Sequence, residues 1–248
     1  MNVAALIPAR KGSKGIPNKN FKNFCGKTLL KWAYDAANES GIFNRIIIST
    51  DNKDIDGDAI LAKDIIGCFK TIIDKNRPPE LSNDTASLDD VLVYYSKMYP
   101  DIDLWCLLQP TSPLRTSEDI RQAFAMMEEK DATGDYKYES IVSVYSHPVL
   151  AWIDNAVGIP GSTDAEDIIQ PVATYHYTKR PNRQERSDWY LENGAIYFTR
   201  KYILEYFKSR LHGTIGLYVM PKERSVEIDD LFDWQLCEWL MEQELEEI

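Results

Sequence analysis

Val3–Asn20, VAALIPARKGSKGIPNKN, opens as an apolar run to Ile7 and then turns abruptly basic and flexible. An apolar run bounded by turn residues reads as a buried strand feeding a loop. That loop carries four cations within ten residues, Arg10, Lys11, Lys14 and Lys19, in a chain whose net charge is −11. Such a local reversal of sign, held on glycine-permitted backbone after a strand, suits a polyphosphate. The alternative is an ordinary solvated basic loop.

Outward from this stretch, the spacing of Leu29, Trp32, Ala33, Ala36 and Ala37 predicts a helix over 28–40, closed by Gly41. RIIIST, Arg45 to Thr50, is a second strand. A helix is expected around 58–66 and a third strand over 69–74. This strand–helix rhythm is that of a parallel sheet with crossover helices. After the rigid Arg77-Pro78-Pro79 break, a helix runs to about Met98. Leu104–Leu108, LWCLL, is apolar throughout and reads as a central strand buried on both faces. Its end carries Gln109-Pro110-Thr111-Ser112-Pro113-Leu114-Arg115, placed to line a pocket because ligands gather at the carboxyl ends of strands in open α/β sheets. Thr116 or Ser117 caps the next helix, and 140–145 is another strand. From 147 to 190 the texture becomes aromatic, polar and loop-like, which reads as an inserted arm. Strands at 193–199 and 214–220, a short helix at 200–209 and a final helix over 230–245 complete the chain.

Length allows one large domain or a domain with an insertion. The acidic balance argues against nucleic acid or an anionic membrane as the main partner, but not against a small anionic ligand met by a local cationic cluster. No apolar run approaches the roughly 20 residues of a membrane span. The N-terminus lacks a signal-peptide layout. The four cysteines and three histidines are dispersed without metal-ligand spacing, so a reducing, cytoplasmic setting is expected.

Glu227 and Asp229 are two apart, so in an extended segment both carboxylates face one way. Two hard oxygen donors on one face suit Mg²⁺ that also holds substrate phosphates, whereas helix capping is the competing use. Gly26-Lys27-Thr28 ends like a Walker motif, but Phe21 stands where its first glycine belongs, which disfavours that chemistry. No nucleophile–histidine arrangement is evident. That absence fits phosphoryl or nucleotidyl transfer, where positioning and charge neutralisation dominate.

Five blocks, ARKGSKGIPNKN (Ala9–Asn20), RPPELSNDTAS (Arg77–Ser87), LLQPTSPLR (Leu107–Arg115), ENGAIYF (Glu192–Phe198) and SVEID (Ser225–Asp229), together resemble the acylneuraminate cytidylyltransferases, which make CMP-sialic acid and related CMP-nonulosonates from CTP. The resemblance spans nearly the whole chain. It implies a Rossmann-like α/β nucleotidyltransferase fold over residues 1–248, with a mostly parallel mixed sheet, helices on both faces and an inserted dimerisation arm at 147–190. It implies that Arg10, Lys14, Lys19 and Asp229 serve catalysis, and that Arg10, Asn20, Arg77, Ala86, Ser87 and Gln109 border the nucleotide. Gln109, Arg183, Asn193 and Tyr197 would contact the sugar, and Glu227 and Asp229 would hold Mg²⁺. CTP and a nonulosonic acid are the implied substrates of a homodimer. The anomeric 2-hydroxyl would attack the α-phosphorus and pyrophosphate would leave. A cytidylyltransferase for another sugar acid such as Kdo, or a non-catalytic nucleotide-binding protein on the same fold, are the alternatives. Two departures stand out: Glu227-Ile228-Asp229 replaces the Asp-Ile-Asp of sialate enzymes, and Val149, Leu150, Ala151 and Trp152 follow His147-Pro148 where some carry a lysine. The second hints at a legionaminic- or pseudaminic-type sugar.

Overall fold

The computed structural model describes residues 1–13, 15–53, 55, 70–83, 85–148, 150, 152–153, 172–173, 177–179, 182 and 189–246. The helix expected at 58–66 and most of the 147–190 stretch lie outside these. The chain divides into two compact units, one of Met1–Tyr145 with Glu192–Ile248 and one of Ser146–Leu191. In the second unit the described residues include an antiparallel pair, β8 (Trp152–Ile153) with β9 (Val172–Ala173).

The first unit is built on a seven-stranded sheet in the order β11 (Ile215–Val219), β7 (Ser140–His147), β10 (Trp189–Arg200), β6 (Leu104–Leu107), β1 (Val3–Pro8), β4 (Arg45–Ser49) and β5 (Thr71–Asp74). Its central strand is β1 (Val3–Pro8), every residue of which is buried. β1 pairs in parallel with β4 (Arg45–Ser49) and with β6 (Leu104–Leu107), and β4 pairs in parallel with β5 (Thr71–Asp74). The apolar runs RIII and LWCL are thus central strands covered on both faces. On one face Val3, Ala5 and Ile7 join a core with Ala33, Ala37, Ile120 and Ala123, from α1 (Leu29–Ser40) and α3 (Ser117–Glu128). On the other, Ala4 and Leu6 pack with Val91, Leu92 and Leu204, from α2 (Leu88–Met98) and α4 (Lys201–Phe207). Alternation along one strand therefore feeds two helix layers. The helices start where the sequence supplies caps. Thr28 Oγ1 accepts from Lys31 N, Ser87 accepts from Asp89 N, and Thr116 with Asp119 forms a reciprocal capping box.

β10 (Trp189–Arg200) departs from the parallel rule. It runs antiparallel to β6, with Tyr197 opposite Leu107. β7 (Ser140–His147) pairs in parallel with β11 (Ile215–Val219) at the far edge. Because β10 is reversed, its early residues Asn193 and Gly194 arrive at the sheet edge where β6 ends. Two further features escape the sequence reading: a two-residue antiparallel pair, β2 (Asn23–Phe24) with β3 (Lys27–Thr28), turned through left-handed Cys25 and Gly26. A third cluster of Ile16, Phe24, Leu29, Leu114, Ile228 and Trp234 packs α5 (Leu231–Glu246) beneath the basic loop.

Candidate active site

The carboxyl ends of β1, β5 and β6 converge on a cavity of about 390 Å³. The loop after β1 supplies Arg10, Ser13, Gly15, Lys19 and Asn20; the chain after β5 supplies Arg77, Asn83 and Ala86; the β6 loop supplies Gln109, Pro110 and Thr111. Glu227 and Asp229 close it. A strand end is where backbone groups and side chains of a parallel sheet are free to meet a ligand, and three such ends meet here.

The acidic segment is held by its middle residue. Ile228 is fully buried in the third cluster, and its N–H donates to Thr111 O at 2.8 Å. Alternation then turns residues 227 and 229 the other way, towards the cavity. Glu227 Oε1 accepts from Thr111 Oγ1 at 2.9 Å. Burial pushes the Glu227 carboxyl up from its ordinary value; the Thr111 hydrogen bond and Lys19 oppose this, and the nearby Asp229 carboxylate adds to it. Asp229 is largely exposed.

The remaining expected positions sort by geometry. Arg77 is buried, with Nε donating to Ser82 Oγ at 3.2 Å and Nη2 unpaired among the described residues. Burial lowers its pKa from the ordinary guanidinium value, with Arg10 adding to the shift and Asp51 opposing it. Gln109 Nε2 donates to Gly194 O at 2.9 Å, joining the β6 loop to the start of β10. Ser87, between the lining residues Ala86 and Leu88, caps α2, its hydroxyl engaged by Asp89 N. Lys14 and Arg183 lie outside the described residues.

Asn193 and Tyr197 sit deeper, in β10. Neither lines the cavity. Asn193 is buried, and its amide is fully engaged: Oδ1 accepts from Ser143 Oγ at 2.6 Å and Ala195 N at 3.2 Å, while Nδ2 faces Met220 Sδ and Ser225 Oγ. Tyr197 is buried too; its hydroxyl donates to Glu192 Oε2 at 2.9 Å, and Arg210 lies over its ring.

Residues the sequence reading missed complete the scaffold. Arg115 is buried beneath the β6 loop, where Nη1 donates to Gln109 O at 3.2 Å and Ala195 O at 2.8 Å. Burial pulls its guanidinium down to about 10. Asp119 accepts from Arg224 Nη2 at 2.6 Å and from the Tyr218 hydroxyl at 3.0 Å, anchoring the turn that precedes the acidic segment. Gly194 has φ +68°, and a Cβ there would lie 2.7 Å from Glu227 Oε2 and 2.8 Å from Gln109 Nε2.

Two carboxylates suit a hard divalent cation, and any such cation would offset the mutual repulsion of Glu227 and Asp229. Among the described residues no group of three or more His, Cys, Asp or Glu side chains converges. A pair of carboxylates is the kind of donor set Mg²⁺ accepts when water and phosphate oxygens complete its shell.

Residues 4–246 match the family described as Cytidylyltransferase. The chain belongs to that family. It is 32% identical over 238 residues to the N-acylneuraminate cytidylyltransferase A of Danio rerio, covering 96% of this chain and 50% of that protein. It is 31% identical over 244 residues to the N-acylneuraminate cytidylyltransferase of Escherichia coli, covering 95% and 51%. The chain thus spans about half the length of these curated relatives. With the CMP-N,N'-diacetyllegionaminic acid synthase of Legionella pneumophila it shares 31% identity over 247 residues, covering 98% and 97%. Among solved structures, a CMP:2-keto-3-deoxy-manno-octonic acid synthetase complexed with CTP superposes with a TM-score of 0.65 at 17% identity, covering 98% of this chain and all of that one. A 4-diphosphocytidyl-2C-methyl-D-erythritol synthase from Anaerococcus prevotii gives 0.62 at 14% identity, covering 97% and 98%. Both share the mostly parallel α/β nucleotidyltransferase fold. No described helix of this cytidylyltransferase-family chain is long and apolar enough to cross a membrane.

Proposed function

We propose that this chain transfers CMP from CTP to the anomeric 2-hydroxyl of a nonulosonic acid. The observation that carries the reading is the meeting, in one cavity, of the cationic β1 loop, Gln109 and the Glu227/Asp229 pair. The bond formed is between the sugar oxygen and the α-phosphorus; the bonds broken are the α–β phosphoanhydride and the sugar O–H, so pyrophosphate leaves with its electron pair and the hydroxyl proton passes to solvent. Arg10 and Lys19, with Lys14, meet the triphosphate charge as it redistributes. Asn20, Arg77, Gln109 and the main chain at Ala86–Ser87 border the nucleoside. Arg183 and Gln109 orient the sugar acid. Glu227 and Asp229 would hold Mg²⁺, which when bound neutralises phosphate oxygens and favours the leaving group. A cytoplasmic homodimer, with the 147–190 stretch as its arm, belongs to the same reading.

The names of the relatives support a nonulosonate acceptor, and the Legionella enzyme, matched along almost its full length, favours a legionaminic-type sugar. A matrix of nucleoside triphosphates against sialic, legionaminic, pseudaminic and Kdo acids, read by mass spectrometry, tests this. CMP-nonulosonate formed from CTP is the expected product. CMP-Kdo alone would move the acceptor to the eight-carbon class, and no product with any sugar would defeat the enzymatic reading. Sedimentation tests the dimer.

A further inference from the structure

The basic loop and the acidic segment are joined directly. Lys19 is buried, its side chain 11% exposed, and its ammonium donates to the main-chain carbonyl of Ile228 and lies 3.5 Å from Asp229 Oδ1. On the same loop the backbone of Gly15 is flush against the segment, so that a Cβ at residue 15 would run into the Asp229 carbonyl. The Asp229 side chain, by contrast, is 79% exposed and lines the cavity.

A buried ammonium needs partners. The Ile228 carbonyl is neutral and fixed in the main chain, whereas the Asp229 carboxylate is charged, exposed and held at the long end of hydrogen-bond range. The carbonyl is the anchor, and the carboxylate is the replaceable contact. We infer that Lys19 is an internal counter-ion of Asp229, competing with a divalent cation for that carboxylate, so that cation and oligophosphate bind cooperatively and neither binds well alone. The inference rests on reading the cavity as a metal-assisted nucleotide site.

The electrostatics run in one direction. A dication at Asp229 would sit within a few ångströms of the Lys19 ammonium, and like charges at that range repel even through a watery dielectric. Phosphates entering over the loop bring the negative charge that relieves this repulsion and give Lys19 a new partner. Each ligand then raises the affinity for the other by the same factor.

The test is calorimetric titration of Mn²⁺ into nucleotide-free protein, for the wild type, Lys19→Met, Lys19→Arg and Asp229→Asn, each shown to be folded by circular dichroism and thermal melting. Lys19→Met is expected to bind Mn²⁺ roughly tenfold more tightly than the wild type, because a competing charge is gone. Lys19→Arg should retain the weak wild-type affinity, and Asp229→Asn should abolish the tightening when combined with Lys19→Met. The gain in CTP affinity on adding Mn²⁺, corrected for the free Mn²⁺–CTP complex, should shrink in Lys19→Met by a matching factor. A folded Lys19→Met with unchanged or weaker Mn²⁺ affinity, as a purely phosphate-binding lysine requires, would overturn the inference. So would a tightening that survives Asp229→Asn. The titration needs no turnover, so a failure to form any CMP-sugar would count against the catalytic reading alone.

Discussion

Glu227 is where stability and activity pull apart. Its folded-state pKa lies above the ordinary carboxyl value, so the native state holds that proton more tightly than the unfolded chain does. Stability is therefore unaffected below the ordinary value and is lost as pH rises through it and on through the raised one. Glu227→Gln removes the penalty and keeps an oxygen for Thr111. At pH 7.5 it is expected to raise the melting temperature, a gain that disappears below pH 4, while turnover falls by about a hundredfold or more. A melting temperature that drops at neutral pH would contradict this. Gly194 makes the complementary case. At φ +68° a side chain costs about 1 kcal/mol, but the atoms a Cβ would meet are the movable ends of Glu227 and Gln109. Gly194→Ala should therefore fold with a slightly lowered melting temperature and lose at least tenfold in turnover, because those two side chains must give way.

At the scale of elements, the acidic segment is braced from behind by α3. Asp119 is 1% exposed and takes two hydrogen bonds from Arg224, two from Thr116 and one from Tyr218. Those contacts hold its carboxyl below the ordinary value despite burial. Arg224→Met leaves that carboxylate buried without its cation and should cost about 2 kcal/mol in denaturant unfolding. Adding Asp119→Asn should return part of the loss; a purely additive double mutant would show that the two groups do not act as a pair. This brace was not legible in the sequence, because nothing in local pattern links residue 119 to residue 224. The strands were legible: LWCL and RIII have no polar face, and only a central strand covered on both sides accommodates that. The start of α3 was legible too, since Thr116 with Asp119 is a local signal. The surroundings of Asn193 were not legible either, because its partners Ser143, Met220 and Ser225 come from distant segments. The β2–β3 turn was invisible because it relies on a left-handed Cys25, a residue type that gives no turn signal.

Among the described residues, the three hydrophobic clusters draw on positions before 146 and after 191. Within the first unit, β7 and β10 lie side by side: Ile196 N donates to Ser143 Oγ and Arg200 N to Glu139 O, which places Tyr145 near Glu192. Replacing Ser146–Leu191 with a short Asn-Gly turn is therefore expected to leave a cooperatively melting domain that still binds CTP, measured by calorimetry. A molten product without a thermal transition would show that the second unit is needed for the first to fold. The reversed strand β10 also has a consequence for biosynthesis. It sits between β6 and β7, in the middle of the sheet, yet it leaves the ribosome long after β6 and after the whole of the 146–191 stretch. Until Arg200 has emerged, β6 presents an unpaired, wholly apolar edge. Such an edge invites pairing with a neighbouring chain, so crowding on polysomes should press hardest on this protein during the interval between those two strands.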